Sequence, residues 1–323
     1  MNWSEYELFI ITLLVLTLLI GIGHIITYGF LAYAEKHHKK ERRAFLMRTQ
    51  RHLASFWWML AIAVLTWIFG LTGGLVVSAV ISFMALREFI TLMPITSGDH
   101  RSVSIAFFVL LPLQYVLIGF SAFPLFSLLI PVYAFLLLPI FTIVRQDTGR
   151  FLTRNASLQW GLMVTIYCVS HMVAILNIEI VRDFSNERRA LFLLFFLILV
   201  RAAVLCQHVA DYYFRNGSQR IALLIHQRMT WNGLWVSAGF TAVLAASFFW
   251  FTPLQLWQAL IAGGLIAIAS VFGRLVMRGI TKSMGIKDWG DVTGRDQGML
   301  DRLDSVIYAA PVFFHFVQLI TAR

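Results

Sequence analysis

Apolar residues run along this chain in long segments that are separated by short polar breaks. Each segment approaches the roughly 20 residues that a helix needs to cross a bilayer. Apolar runs of this length favour membrane-spanning helices over strands. Ten segments meet this description: 7–33, 54–72, 74–95, 103–121, 123–144, 158–177, 190–213, 233–251, 255–280 and 304–321. The pattern therefore predicts an all-α, polytopic integral membrane protein with about ten transmembrane helices.

The polar breaks are too short to hold a separate soluble domain, because the longest has fewer than 30 residues. We therefore expect a single membrane domain over 1–323, in which 1–52 forms the first span and a basic cytoplasmic segment. The breaks at 122–124 and 252–254 each contain a proline and predict tight turns. The first span is too long for a cleaved signal peptide and lacks a basic flank before it, so we expect a true span.

Lysine and arginine are concentrated in alternate breaks, and this alternation predicts an orientation. If the N-terminus lies outside, five segments face the cytoplasm and hold 20 of the 26 Lys and Arg residues: 35–52, 96–102, 145–157, 214–230 and 274–302. Basic residues flank membrane spans mainly on the cytoplasmic side. We therefore expect a multi-pass protein of the inner (cytoplasmic) membrane with its N-terminus outside. The basic run 35–52 is interpreted as a solvated anchor.

Composition agrees with the membrane prediction, and the net charge indicates which partners to expect. The chain is 59% hydrophobic and only 13% charged, with a mean hydropathy of +0.77. A soluble domain does not need so much apolar surface. The formal net charge of +10 belongs to the predicted cytoplasmic face, so we expect membrane lipids as partners and no nucleic acid.

Charged side chains inside the spans are few, and all lie toward the predicted cytoplasmic ends. Because ionisable groups are costly within a membrane, each is a candidate functional residue. These residues are Arg87, Glu88, Arg201, His208, Asp211, Arg274 and Arg278. Three residues apart on a helix, His208 and Asp211 share a face. The structural alternative is that such groups pair with one another or extend to the membrane surface.

The densest polar passage of the C-terminal third is 285–305, "GIKDWGDVTGRDQGMLDRLDS". Asp301 and Asp304 lie about one helical turn apart where the last span begins, so their carboxylates can face one point. Two converging carboxylates suit Mg²⁺, which also binds oxygens of a substrate phosphate. The neighbouring cations Arg302, Lys287 and Lys282 suit phosphate too. A solvated loop with cancelling charges is the alternative.

The passage 270–305, "SVFGRLVMRGITKSMGIKDWGDVTGRDQGMLDRLDS", resembles the C-terminal signature of the phosphatidate cytidylyltransferases (CDP-diacylglycerol synthases). Its "GIKD" and "LDRLDS" pieces match that signature with unshifted spacing. Two earlier pieces are similar to the family more weakly: "ISFMALREF" (81–89) resembles an Arg/Lys-Glu helix, and "MTWNG" (229–233) resembles a Lys-Thr-x-Glu-Gly turn. The resemblance implies an all-helical membrane fold with its site at the cytoplasmic face.

The resemblance also implies a reaction of phospholipid biosynthesis. Phosphatidate attacks the α-phosphorus of CTP, pyrophosphate leaves, and CDP-diacylglycerol stays in the membrane, with Mg²⁺ offsetting the developing charge. The implied catalytic residues are Asp288, Lys287, Asp301 and Asp304, and the implied metal ligands are Asp301, Asp304 and Asp288, with Asp291 and Asp296 as further candidates. The implied substrate ligands are Arg302, Lys282, Arg278, Arg274, Arg295 and Glu88. The oligomeric state stays open, with a homodimer as one alternative.

The chain departs from the family pattern at five places. After Gly273 the family has Asp, whereas this chain has Arg274, which puts a fixed cation where a metal-binding carboxylate is expected. Gln207 and His208 stand where the family has an Asn-Asp pair, and Met229 and Asn232 stand where it has Lys and Glu. Arg278, Thr281 and Lys282 replace the Ser and the Lys-Arg pair of the family. The segment 294–298 lacks the histidine that the family has there.

Two main interpretations therefore stay open. An altered enzyme would recruit Asp291, Asp296 or Asp211 in place of the missing carboxylates, while Arg274 and Arg295 bind phosphate. A catalytically degenerate relative would keep the fold as a lipid-binding or regulatory membrane protein, with its retained charges forming an ion-pair network. A transporter or channel is disfavoured, since no charge lies at mid-depth in a span and no inverted repeat is visible.

Overall fold

The computed structural model describes residues 4–93, 96–144, 146, 148–214, 218–286, 289–290 and 298–321, with the side chain of 97 excepted. Most of these residues are helical, and the strands among them form one two-stranded hairpin. Eight of the described helices are long and apolar enough to cross a membrane. The prediction of an all-α polytopic membrane protein is confirmed.

The helices, in chain order, are α1 (Glu5–Lys36), α2 (Lys40–Ile90), α3 (His100–Gly119), α4 (Phe123–Ile143), α5 (Phe151–Asn177), α6 (Glu179–Arg182), α7 (Asn186–Tyr213), α8 (Trp231–Ser247), α9 (Leu256–Ser283) and α10 (Met299–Thr321). Within α10, a turn separates Met299–Leu303 from Val306–Thr321. The antiparallel strands are β1 (Arg220–Ala222) and β2 (His226–Thr230). Short 3₁₀ turns lie at Ser97–Asp99 and Phe249–Phe251.

The ten predicted spans fall on nine of these helices. Helix α2, one element of 51 residues, contains 54–72 and most of 74–95. Helix α8, with 17 residues, covers most of 233–251 but is shorter than the eight longer helices. The hairpin lies in 214–230, for which the sequence predicts a cytoplasmic position but no strands.

The chain folds as two compact units, each assembled from two separate stretches. Unit 1 comprises Met1–Gly70 and Asp183–Leu275, and unit 2 comprises Leu71–Arg182 and Val276–Arg323. Neither unit is a continuous stretch of sequence, so composition along the chain gives no signal of a boundary. The expectation of one membrane domain over 1–323 stays a prediction.

Helix α2 breaks at Gly70, which ends the first stretch of unit 1. Gly70 has φ 61° and ψ −152°, a conformation that is essentially restricted to glycine. A Cβ at this position would lie 3.0 Å from Oδ1 of Asn186, the first residue of α7. The sequence pattern placed this break at 73, three residues further on.

Small residues allow the helices of unit 1 to pack closely. Ala203 of α7, Ala238 of α8 and Ala267 of α9 form one buried cluster. Close to it, the hydroxyl of Ser237 donates a hydrogen bond of 2.8 Å to the carbonyl oxygen of Ala203. Interfaces rich in small residues are typical of helices that associate in membranes.

In unit 2 a polar side chain fixes the turn between α3 and α4. The Nδ2 of Asn177 donates to the carbonyl oxygen of Ile118 (2.6 Å) and to Oγ of Ser121 (2.8 Å). Ser121 has a positive φ of 56°, and Pro124 lies in the first turn of the next helix. The predicted tight turn at 122–124 therefore begins at Phe120, two residues earlier.

Candidate functional site

Two of the segments that carry the family resemblance contact each other in unit 2. Glu88, at the end of α2, is only 4% exposed. Its Oε2 accepts a hydrogen bond of 2.8 Å from the backbone N–H of Leu300, in the first turn of α10. Beside it, the Phe89 ring stacks on Trp289 with ring centroids 5.6 Å apart. The "ISFMALREF" helix thus holds the start of the "LDRLDS" helix.

Asp301 binds two backbone positions of the polar passage 285–305. Its Oδ2 accepts hydrogen bonds from the backbone N–H of Gly290 (3.3 Å) and of Gly298 (3.1 Å). Gly298 has no room for a side chain, because a Cβ there would collide with Glu88 and Trp289. A carboxylate that accepts backbone N–H groups in the first turn of a helix is a common capping arrangement. Asp301 therefore has a structural contact whatever else it binds.

The other predicted site residues are only partly described. Asp304 and Arg302 are half-buried near the start of α10, whereas on α9 Arg278 is half-buried and Lys282 is exposed. The residues Lys287, Asp288, Asp291, Arg295 and Asp296 lie outside the described residues. Among those described, no group of three or more His, Cys, Asp or Glu side chains could hold a metal ion. The proposed metal ligands thus remain predictions.

A buried ion pair in unit 2 was missed at the sequence level. The carboxylate of Asp99 is bound at both oxygens by Arg154, with Nε to Oδ2 at 2.9 Å and Nη2 to Oδ1 at 3.1 Å. Asp99 also accepts a hydrogen bond from Thr96 N–H at 3.1 Å. The pair links segments 96–102 and 145–157, which were both predicted to be cytoplasmic.

Unit 1 contains a cavity of about 520 Å³ that is lined mostly by polar residues. The start of α2, the end of α7, the hairpin and Arg274 of α9 all contribute to it. The described residues that line it are Lys40, Glu41, Ala44, Phe45, Arg48, His52, His208, Asp211, Tyr212, Arg220, His226, Gln227, Arg228, Met229, Thr230 and Arg274. Three segments predicted to be cytoplasmic therefore meet at one end of this unit.

The charge of the cavity lining is strongly unbalanced. Among the described lining residues, five carry a Lys or Arg charge and two carry a carboxylate. His52, His208 and His226 add three imidazoles. The rings of His52 and His208 lie 5.1 Å apart, and His208 stacks on Phe45 at 4.8 Å. A half-enclosed cluster of cations creates a positive potential that favours anions.

Asp211 is held in place by the turn that resembles Lys-Thr-x-Glu-Gly. Its Oδ1 accepts hydrogen bonds from Thr230 N–H (2.9 Å) and Thr230 Oγ1 (2.7 Å). The same hydroxyl oxygen accepts from Gly233 N–H at 3.0 Å and so caps α8. A Cβ at Gly233 would collide with Asp211. The Thr and Gly that this chain shares with the family pattern are the residues that position the acid.

Three of the positions that depart from the family pattern, His208, Met229 and Arg274, line this cavity. His208 stands where the resemblance places an Asp, and so does Arg274. Arg274 lies within electrostatic range of Asp211 and of His52. The changes at His208 and Arg274 therefore both remove negative charge from one enclosure, whereas Met229, which stands where the resemblance places a Lys, removes a positive charge from it.

The interpretation of 35–52 as a solvated anchor was incomplete. Lys40, Arg48 and His52 from this run line the cavity, and Arg48 and His52 are half-buried. Arg220 and Arg228 of the hairpin were not identified as site residues either. The sequence signal was that 35–52 and 214–230, both predicted to be cytoplasmic, each combine histidine with arginine.

Comparison with known proteins agrees with the resemblance. The profile of the cytidylyltransferase family matches residues 49–320, which is most of the chain. The uncharacterized protein YnbB of Escherichia coli is 34% identical over 245 residues, covering 74% of this chain and 77% of YnbB.

Two relatives carry the name of an activity. A phosphatidate cytidylyltransferase of Synechocystis is 30% identical over 108 residues, which cover 32% of this chain and 36% of that protein. The chloroplastic phosphatidate cytidylyltransferase 5 of Arabidopsis thaliana is 32% identical over 99 residues, covering 29% of this chain and 24% of the plant protein. The profile match is the broadest of these findings, and with the contact between the two resembling segments it leads to one conclusion. This chain belongs to the cytidylyltransferase family.

Proposed function

We propose that this protein transfers the cytidylyl group of CTP to phosphatidate, forming CDP-diacylglycerol and pyrophosphate in phospholipid biosynthesis. Family membership supports a nucleotidyltransferase activity, and two relatives bear the name of this specific reaction. The observation that carries the proposal is the hydrogen bond from Leu300 N–H to Glu88, which joins two separate pieces of the family pattern.

The reaction needs few covalent steps from the protein. A phosphate oxygen of phosphatidate forms a bond to the α-phosphorus of CTP, while the bond from that phosphorus to the bridging oxygen breaks and pyrophosphate leaves with the electron pair. Positioning and charge compensation supply most of the catalysis in such transfers. In this proposal Lys287, Arg302, Lys282 and Arg278 bind phosphate groups at the cytoplasmic face.

The proposal includes Mg²⁺ on the signature aspartates of unit 2. Asp301 and Asp304 are half-buried and supply the hard oxygen atoms that Mg²⁺ prefers. Asp288 is the proposed third ligand, and Asp291 and Asp296 are the alternatives. When bound, the ion would offset the negative charge that develops on the transferring phosphorus and on pyrophosphate.

The test is transfer of label from CTP to phosphatidate by the purified full-length protein in detergent, with and without Mg²⁺. We expect a labelled CDP-lipid that requires Mg²⁺, and Asp304→Asn should lower its rate by about 100-fold or more, the scale of losing one preorganised electrostatic contribution. Asp183→Asn is the matched control, because Asp183 is exposed and lies in the break before α7. Absence of any CTP-dependent product would refute the proposal.

A second candidate function is binding of an anionic lipid without catalysis, as a regulatory membrane protein. The observation that favours it is the replacement of family carboxylates by Arg274 and His208 in one cavity. This candidate predicts co-purification with another enzyme of lipid synthesis. It also predicts that the association survives in variants that cannot turn over CTP.

A further inference from the structure

We infer that the cavity of unit 1 is a phosphate site that binds its anion directly through arginine and histidine, without a divalent cation. The ligand class is a phosphomonoester or diphosphate group. The inference does not depend on the transfer proposed above, because it concerns binding and uses none of the signature aspartates of unit 2.

The lining offers donors for an anion and few ligands for a cation. Arg48 and Arg274 are half-buried, so their charges are screened less than those of exposed residues. A guanidinium group presents paired N–H donors that match two oxygens of one phosphate. The imidazoles of His52 and His208 add further ring nitrogens to the same enclosure.

The carboxylates of the cavity do not suit Mg²⁺. Glu41 is exposed, and Asp211 has Oδ1 engaged by two hydrogen bonds from Thr230. Magnesium takes six oxygen ligands in near-octahedral geometry, and nearby positive charges oppose its binding. Where the family resemblance implies a carboxylate next to a metal, Arg274 supplies the positive charge itself. In this inference the arginine side chains of the cavity take the place of a bound metal ion as the positive charge.

Two buried polar side chains lie close along their helices to residues of the cavity lining. Both amide atoms of Gln207 are buried and have no hydrogen-bond partner among the described residues, and Gln207 directly precedes His208 on α7. The hydroxyl of Ser270 is likewise buried and unpartnered, one helical turn before Arg274 on α9. Such groups in folded proteins are normally satisfied by water or a ligand. Their position beside the two replaced residues favours a hydrated or ligand-filled extension of the site.

The size of the cavity fits more than a single inorganic phosphate. About 520 Å³ is within the range of small-molecule sites. The tip of the hairpin next to it is apolar, since Leu223 and Leu224 are 58% and 83% exposed. Phosphate on a lipid headgroup and phosphate on a nucleotide share the recognised chemistry, and competition experiments can separate these two sources.

The first experiment measures binding of inorganic pyrophosphate to the full-length protein in detergent that contains EDTA, by calorimetry and by thermal shift. We expect saturable binding that persists in EDTA. Arg274→Ala and, separately, Arg48→Ala should each weaken it by about tenfold or more, the scale of one charge-assisted hydrogen bond. Arg43→Ala is the matched control on α2, since Arg43 is exposed, pairs with Glu35 and lies outside the lining. That variant should bind like the parent protein.

The outcomes separate this inference from the proposed function. Binding that needs Mg²⁺ and disappears in EDTA, or binding that neither arginine variant alters, would overturn the inference. Arg274→Lys guards against misfolding, because it retains the charge and should keep part of the affinity. Persistent EDTA-resistant binding without any CDP-lipid synthesis would remove the proposed function and leave this site in place.

Competition then identifies the source of the phosphate. Nanodiscs that contain phosphatidate, compared with nanodiscs of phosphatidylcholine alone, should displace pyrophosphate if the natural ligand is a lipid headgroup. Displacement by CTP in EDTA would instead assign the site to a nucleotide. Both results support the phosphate site, whereas failure of both to compete would show that pyrophosphate binds non-specifically and would overturn it.

Discussion

At the scale of single residues, Gly233 shows how a backbone position can determine the placement of a functional acid. The glycine allows Asp211 to approach the first turn of α8 closely enough to be held by Thr230. Gly233 and Thr230 carry no charge at physiological pH, so a search for charged candidates passes over both. Their importance follows from geometry alone.

The substitution Gly233→Ala should therefore displace Asp211 and lower stability by about 1–3 kcal/mol, because the added methyl group overpacks the contact. Thermal unfolding in detergent measures the loss. Gly239→Ala is the matched control in the same helix, since a Cβ at Gly239 meets no atom within 4 Å. An unchanged midpoint for Gly233→Ala would contradict the described contact between α8 and Asp211.

At the scale of elements, the pair of Asp99 and Arg154 fastens the 3₁₀ turn before α3 to the start of α5. Arg154 is 4% exposed and Asp99 10% at their side chains, so neither charge is well solvated. Removing one partner of such a pair leaves a buried charge that lacks its main counter-charge. The structural value of the pair lies in that asymmetry.

We expect Arg154→Met to destabilise unit 2 by about 3–5 kcal/mol, the cost of breaking a buried pair from one side. Removal of both charges, as in Arg154→Met with Asp99→Leu, should recover much of that loss. Arg188→Ala serves as the control, because Arg188 pairs with Glu5 at the surface over 3.8 Å and exposed pairs contribute little. Unfolding monitored by tryptophan fluorescence would compare the three proteins. Equal midpoints for the first two variants would argue against the pair.

The helices could largely be predicted from sequence, because membrane spans are set by apolar length alone. The break at Gly70 and the hairpin could not, since each depends on contacts with distant residues such as Asn186 and Asp211. The cavity was missed for a related reason. A basic run such as 35–52 has the same composition whether it is solvated or covered by another segment. The sequence of a segment does not show which other segment will pack against it.

The candidate site divides in the same way. Glu88 and the start of α10 were identified from motif spacing, and the structure brings these two segments together. Arg274 and His208 were identified as departures, but only the fold shows that they share an enclosure. Positions 208 and 274 are 66 residues apart along the sequence, so the sequence alone does not show that the two replacements change the charge of one cavity.

At the scale of the whole molecule, the orientation in the membrane is a prediction from charge that labelling can test. Single cysteines would be introduced at Lys39 and Asp183, both exposed, after Cys168→Ser and Cys206→Ser have removed the two free thiols. A membrane-impermeant maleimide should label Lys39→Cys only in inverted vesicles and Asp183→Cys only in intact cells, because basic segments stay in the cytoplasm. The reverse result would place the N-terminus inside.

The hydrogen bond between Glu88 and Leu300 has a consequence for biogenesis. The two residues are 212 positions apart, so the carboxylate of Glu88 leaves the ribosome long before its backbone donor exists. Chains emerge from the N-terminus and domains generally fold as they are completed. Because both ends of unit 2 must be present, its assembly cannot finish until the last helix has been inserted. A polypeptide that stops before α10 lacks this contact, so truncation at the C-terminal end leaves the buried carboxylate of Glu88 without its backbone donor.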